Sequence, residues 1–319
     1  GSSTSTGSFG MLRVGDGGAN LVLRTKGANI SIGNMNTYPY VMNSSAGNYN
    51  IAIGTETMMS QTSGERNVGV GYQAGRSNVG GDYNTFMGFG AGRGTTSGTY
   101  AGNTGLGYNA LYTLNTGTNN VAVGREALYQ LDKGQKSVAV GISAGHYATG
   151  SYNTFVGADA GLGGQTSAPY SSGQYNVAMG YQAFDAFTTA EYNTAIGNNA
   201  GSAITTGDQN VMLGAGAGYS ITTGQYNTLV GVDAANTHTD VNNIVAIGWQ
   251  AGRYVEADGT IVIGYQAGTA ITSGIGNTAI GYHAGHELTT GHSNTFVGYE
   301  AGGDFDNGES NLVAIGRNA

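Results

Sequence analysis

The 319-residue chain has no cysteine, two prolines, one tryptophan and only 9% charged side chains, where a globular domain usually has about a quarter. Without thiols there is neither a disulfide scaffold nor a Cys-ligated zinc site. Two prolines cannot supply the Pro-rich period of collagen, although glycine is abundant at 59 residues. No apolar run is long enough for a membrane helix, which needs about 18 residues. Cations are scarce as well: 11 Lys and Arg against 19 Asp and Glu give a net charge of -8. That sign repels phosphate backbones and anionic lipid, so neither a nucleic-acid partner nor membrane insertion is expected. Hydrophobic residues at 39%, with 21 tyrosines, exceed what a solvated disordered chain carries.

What the sequence does have is a period, and a fixed period decides the reading of everything else. A short apolar run ending in glycine recurs sixteen times, from Gly54, Gly71 and Gly88 to Gly281, Gly298 and Gly316. Ten of the fifteen intervals are 17 residues; the others are 16, 16, 18, 19 and 23. Gly33, closing Ile30-Ser31-Ile32, reads as a degenerate member 21 residues upstream.

Each fixed position asks for a cause. Three residues after the marker glycine, alanine stands in fifteen of sixteen repeats, Thr57 being the exception; an interior corner that admits one methyl explains it. The next residue is often glycine, as at Gly201 and Gly285, which suits a turn with positive φ. Between marker and alanine lies a polar, variable position, including Gln73, Asn109, Glu126 and Asp233, expected to face solvent. Four residues before the marker, asparagine occurs in twelve repeats, and stacked copies would bond to turn backbone and to one another. Asn193, Gly197, Ala200 and, farther on, Asn277, Gly281, Ala284 represent these positions. The residue before the marker is branched or otherwise apolar, as in Ile53, Val70 and Leu213, and marks short strands. A weaker apolar position follows the marker by seven residues, as in Leu114, Phe187 and Ile204, and Thr-Thr-Gly closes the turn at Thr205-Thr206-Gly207.

Seventeen residues broken by glycine corners cannot hold a stable helix, since glycine costs about 1 kcal/mol per helical position relative to alanine. The pattern predicts an all-β fold, a parallel β-solenoid or β-roll of about sixteen 17-residue coils over residues 47–319. Residues 1–46 are different: Met11-Leu12-Arg13-Val14, Asn20 to Arg24 and Asn29 to Ile32 read as short strands of a cap or connector. Each coil offers few inward apolar side chains, so the core of one chain is thin. An elongated homotrimer, each chain burying an apolar stripe along a common axis, is expected.

The run Asn-Thr-Ala-Ile-Gly-Tyr-x-Ala-Gly, intact as Asn277 to Gly285 and nearly so as Asn294 to Gly302, resembles repeats of bacteriophage tail fibres. In that family a C-terminal intramolecular chaperone commonly trimerises the fibre and is cleaved off; the last repeat, broken at Ala319, fits a cleaved or truncated fibre. Ser137 to Gly141 and Val313 to Gly316 are similar to head repeats of trimeric autotransporter adhesins. Those adhesins carry a signal peptide, a coiled-coil stalk and a membrane barrel that this sequence lacks, so the fibre resemblance ranks first. It implies a structural and receptor-binding protein of the virion tail, outside the cell, or alternatively of a bacterial surface. Its partners would be itself and a host-surface glycan or outer-membrane protein, with no cofactor and no catalysis.

Candidate sites follow from the repeat's exceptions. Loops on a rigid scaffold usually carry recognition, and the irregular joints hold Tyr38 and Tyr40 around Pro39, Tyr170 after Pro169, and Tyr100 in the 19-residue interval. These four tyrosines are the candidate receptor-binding residues. Aromatics also recur directly after the marker (Tyr72, Phe89, Tyr108, Trp249, Tyr265, Tyr282, Tyr299) and before the asparagine (Tyr49, Tyr83, Tyr152, Tyr175, Tyr192, Tyr226). Mutual stacking or burial at a trimer seam explains them more simply than a glycan surface does. His283, His286 and His292 with Glu287 lack metal-ligand spacing. Asp304 to Gly308 lacks the spacing of a calcium loop. Asp159, Asp185, Glu191 and Asp233 are the acids a polysaccharide-degrading spike would need, but no pairing is evident in the repeat alignment. A threonine ladder through Thr205-Thr206, Thr222-Thr223 and Thr289-Thr290 hints at an ice-binding face, interrupted at Lys133 and Ser273.

Overall fold

The computed structural model describes residues 21–26, 29–34, 47–164, 170–237, 239–303 and 308–319. Every regular element among them is a strand. The chain divides into two compact units, Gly1–Thr149 and Gly150–Ala319. Both are parallel β-solenoids, and together they hold about fifteen coils of about 17 residues.

The first unit opens with a hairpin, β1 (Leu21–Lys26) antiparallel to β2 (Asn29–Asn34). The β2 strand pairs in parallel with β3 (Ile51–Ile53), Ile30 opposite Ile51 and Ile32 opposite Ile53. The degenerate repeat ending at Gly33 thus sits in the register of a coil, and the hairpin covers an edge that would otherwise be open to pairing. The expected strand at Met11 to Val14 lies outside the described residues. From β3 the ladder runs in register through β4 (Val68–Val70), β5 (Thr85–Met87), β6 (Thr104–Leu106), β7 (Val121–Val123) and β8 (Val138–Val140). The second unit continues the pattern in ten strands, β9 (Thr154–Val156), β10 (Val177–Met179), β11 (Thr194–Ile196), β12 (Val211–Leu213), β13 (Thr228–Val230), β14 (Val245–Ile247), β15 (Ile261–Ile263), β16 (Thr278–Ile280), β17 (Thr295–Val297) and β18 (Val313–Ile315). Each of these pairs in parallel with the next.

The invariance of the marker glycine has a steric cause. The chain leaves each strand there with φ between +130° and +144°, a region closed to side chains. A Cβ on Gly197 would sit 2.5 Å from the carbonyl oxygen of Gly214 in the next coil. The marker carbonyl then accepts from the alanine three residues on, Ala200 N to Gly197 O at 3.3 Å, and the alanine methyl is fully buried there. The same holds at Ala284.

Inside the stack, the strand centre shares its space with a corner of its own or of the neighbouring coil. The strand's central residue points inward, and so does the residue four after the marker, at φ near +55°. Where the centre is Phe86, Phe155 or Phe296, the neighbouring corner is glycine, as at Gly92, Gly161 and Gly302, whose added Cβ would meet that ring. Where the centre is Ala122 or Ala178, the corner is Leu128 or Phe184, both buried in left-handed backbone. Leu114, Leu131, Phe187, Ile204 and Ile221 complete the interior.

The asparagines form the expected ladder. Asn193 Nδ2 donates to Asn176 Oδ1 (3.2 Å), to Gly207 O (2.9 Å) and to Glu191 O (3.0 Å), and Asn193 Oδ1 accepts from the backbone and side-chain nitrogens of Asn210 (2.9 and 3.0 Å). Asn277 does likewise, donating to Gly291 O and accepting from Asn294 N. One expectation is corrected: the variable position after the marker does not simply face solvent. It adopts φ of about +50° to +60°, and Asn109 and Gln250 are 8% and 9% exposed because neighbouring columns pack over them.

Candidate functional site

The surfaces available for binding are columns, each repeating one side-chain position from coil to coil. The least expected column pair flanks the inward strand centre. In every three-residue strand the two flanking residues point outward, and Met87, Met179, Leu213 and Val211 are 42 to 46% exposed. The outer residues are Val, Ile, Leu, Met or Thr in all sixteen strands, with no charge and no amide. Each unit therefore carries a flat, uncharged, largely apolar face that the lone chain leaves uncovered. The signal was available in the sequence: alternate strand positions that avoid charge sixteen times over are not ordinary solvated positions.

Aromatic columns stand beside this face. Trp249, Tyr265, Tyr282 and Tyr299 stack at centroid spacings of 4.8, 5.2 and 5.1 Å with planes within 19° of parallel. Tyr152, Tyr175 and Tyr192 stack at 5.0 and 4.9 Å, within 6°. In the first unit Tyr72, Phe89 and Tyr108 stack at 5.0 and 5.4 Å. Guanidinium groups extend the columns, Arg66 lying against Tyr49 and Tyr83 and Arg317 against Tyr299. The rings are 39 to 61% exposed, yet their faces are turned to one another, so what meets solvent is ring edges and hydroxyls.

No family model and no curated protein matches this chain.

Of the four candidate receptor-binding tyrosines, Tyr100 is a correction. It is fully buried, packs edge-on to Phe86 at 5.9 Å and donates its hydroxyl to Gly92 O at 2.7 Å. Burial pushes its pKa far up. The longer interval exposes Thr95, Thr96, Ser97 and Thr99 but turns its large ring into the core. Tyr170 is half-buried, at the end of a joint whose residues 165–169 lie outside the described residues, as do Tyr38 and Tyr40.

The acids are dispersed into structural roles. Glu191 N donates to Asp208 Oδ1 at 2.7 Å, and Asp233 Oδ1 accepts from Asn236 at 3.0 Å. Asp185 is raised above the ordinary carboxylate range, chiefly by burial and to a smaller degree by the charge of Asp159, with a Ser202 hydrogen bond opposing. His292 Nδ1 accepts from Ile275 N at 3.1 Å, while His283 and His286 pack ring to ring at 4.9 Å. Among the described residues no group of three His, Asp or Glu could hold a metal; Asp304 to Asn307 lie outside them. The first threonine of each turn bonds internally: Thr188, Thr205, Thr222 and Thr272 donate to the next coil's carbonyl at 2.9 to 3.2 Å, while the second, Thr206 and Thr223, is exposed.

Proposed function

We propose that this chain is the shaft or receptor-binding part of a homotrimeric virion tail fibre, which holds a phage to a bacterial surface without catalysis. The observation that carries this reading is the uncharged outer strand face. With strands about 4.8 Å apart and three residues about 10 Å wide, the ten strands of the second unit present a strip of roughly 450 to 500 Å². Exposed apolar patches of that size mark interaction sites. The absence of charge suits a second copy of the same face, since an uncharged face meets no like-charge repulsion from its own copy. Three copies, as the fibre and adhesin resemblances suggest, would leave joints such as Tyr170 for a surface glycan or outer-membrane protein, and many weak contacts would add through avidity. The same geometry serves a trimeric bacterial adhesin head. A polysaccharide-degrading spike would rest on Asp159 and Asp185, whose carboxyls interact.

Light scattering tests this. A species near three times the 32.3 kDa chain is expected, and Ile247→Glu, which puts a charge on the outer face, should shift it to single chains with an unchanged far-ultraviolet spectrum. A wild-type chain that stays monomeric at micromolar concentration refutes the fibre.

A further inference from the structure

We propose that the outer edge of the Trp249, Tyr265, Tyr282 and Tyr299 column binds one extended, neutral, equatorially linked polysaccharide strand, one sugar to each coil. The proposal deepens the surface-adhesion reading by naming its ligand class.

The step of the column selects the ligand. Its rings repeat every 4.8 to 5.2 Å, so one hydroxyl or indole N–H is offered per coil at that spacing. Tyr265 and Tyr282 are both 43% exposed, and their hydroxyls have no hydrogen-bond partner among the described residues. An extended peptide advances about 3.3 Å per residue and shows one face every 6.6 to 6.8 Å, out of step with the column. A nucleic-acid strand carries a charge at every step and meets a protein of net charge -8. A chain of pyranose rings joined through equatorial positions advances by close to the column's own step; successive sugars turn over, but both edges of each ring carry hydroxyls, so every coil meets a group that donates and accepts.

Ring stacking decides how the sugars are held. Because each ring face is covered by the next ring, sugar-on-ring stacking along the column is closed off and recognition passes through the hydroxyl row. A second polar row runs beside it. Gln266 Nε2 donates to Gln250 Oε1 at 3.1 Å, and the His283 ring lies 4.2 Å from that of Tyr282. Burial, with His286 nearby, lowers the pKa of His283, so from Trp249 to His283 these two rows hold no charge near neutral pH. Glu300, which hydrogen-bonds the Tyr299 hydroxyl, and Arg317 close the column's end. A neutral polymer matches such a strip better than an anionic one.

Titration calorimetry on the full chain, with cello- and chito-oligosaccharides from disaccharide to hexasaccharide, tests this. Affinity should climb with each sugar up to the tetrasaccharide and then level. Tyr265→Phe and Tyr282→Phe keep the stack and remove one hydroxyl each; each should weaken tetrasaccharide binding about three- to tenfold, the range of a neutral hydrogen bond, at an unchanged melting temperature. Polygalacturonate should bind at least tenfold more weakly per site. Absence of binding to both series, affinity independent of length, or Phe variants equal to wild type overturns the proposal. A trimer that adsorbs to cells yet fails these titrations loses the glycan and keeps the fibre; a monomer that passes them does the reverse.

Discussion

Replacing Asn193 with alanine tests the side chain on which the coil stack depends. The asparagine is 1% exposed and uses both ends: its amide nitrogen serves Gly207 O, and its oxygen serves the backbone N–H of Asn210. Other partners survive truncation, because Asn210 Nδ2 keeps Gly224 O at 2.8 Å and Asn176 Oδ1 keeps the backbone nitrogen of residue 193 at 3.0 Å. Two buried backbone groups are therefore left without partners, each costing about 1 to 3 kcal/mol, so the variant should lose about 2 to 6 kcal/mol. Urea unfolding followed by circular dichroism measures the loss, and hydrogen exchange should place it at the Asn210 amide, since a repeat array responds locally. Asn193→Asp adds a sign. A buried carboxylate facing Asn176 Oδ1 and Gly207 O has its folded pKa raised above the unfolded value of about 3.9, so its stability is present below that pH and lost as pH rises. The Asp variant should be weakest at pH 7 and recover on acidification relative to wild type. An alanine variant within about 0.5 kcal/mol of wild type, or an Asp variant with no acid recovery, refutes the ladder as a source of stability.

Ala200→Leu should destabilise the second unit by about 1 to 3 kcal/mol through overpacking beside Gly197; unchanged melting in calorimetry would remove the one-methyl corner. Asp185 has its pKa raised by burial, so its contribution is present below about pH 4 and lost as pH rises through the raised value. Asp185→Asn should therefore be more stable than wild type at pH 7, with the advantage vanishing in acid, and equal melting at both pH values would refute the assignment.

The repeat made the coil legible, because positions fixed by sterics repeat as identities. The marker glycine, the alanine and the asparagine each have one acceptable side chain, at Gly197, Ala200 and Asn193, and each was visible in the sequence. The core's largest contributor was not. The strand centre ranges from Gly69 and Ala122 to Phe86 and Met212, because its space is shared with a corner of its own coil, Leu128 for Ala122 and Gly92 for Phe86, or of the preceding coil, Met58 for Gly69 and Gly201 for Met212. Such sharing crosses repeats, and a single column of sequence hides it. Tyr100 failed for a related reason: an extra-long interval looks like a loop, yet here it delivers a ring to a gap beside Phe86. The outer strand face was legible only as an absence of charge, and which side of the strand was empty required the coil's handed turns to be placed.

Columns, not residues, set the energetics of this chain. Tyr175 illustrates the point, with φ of +59°, a backbone region that costs a non-glycine residue about 1 to 2 kcal/mol. Its ring touches Tyr152 at 5.0 Å on one side and Tyr192 at 4.9 Å on the other. Two stacked contacts at about 0.5 to 1.5 kcal/mol each offset that cost, whereas one contact at a column's end supplies half as much. Elsewhere polar residues hold this position, although Tyr226 keeps φ of +61° between Gln209 and Asn243 without a stacked ring among the described residues. Gln209 and Asn243 hold φ of +57° and +59° with polar side chains, asparagine being the residue that best tolerates this region. Arg66, at +56°, replaces a ring with a guanidinium between two rings. The same arithmetic makes a binding column cooperative with folding, since any ring that orders its neighbours for stacking also aligns their hydroxyls.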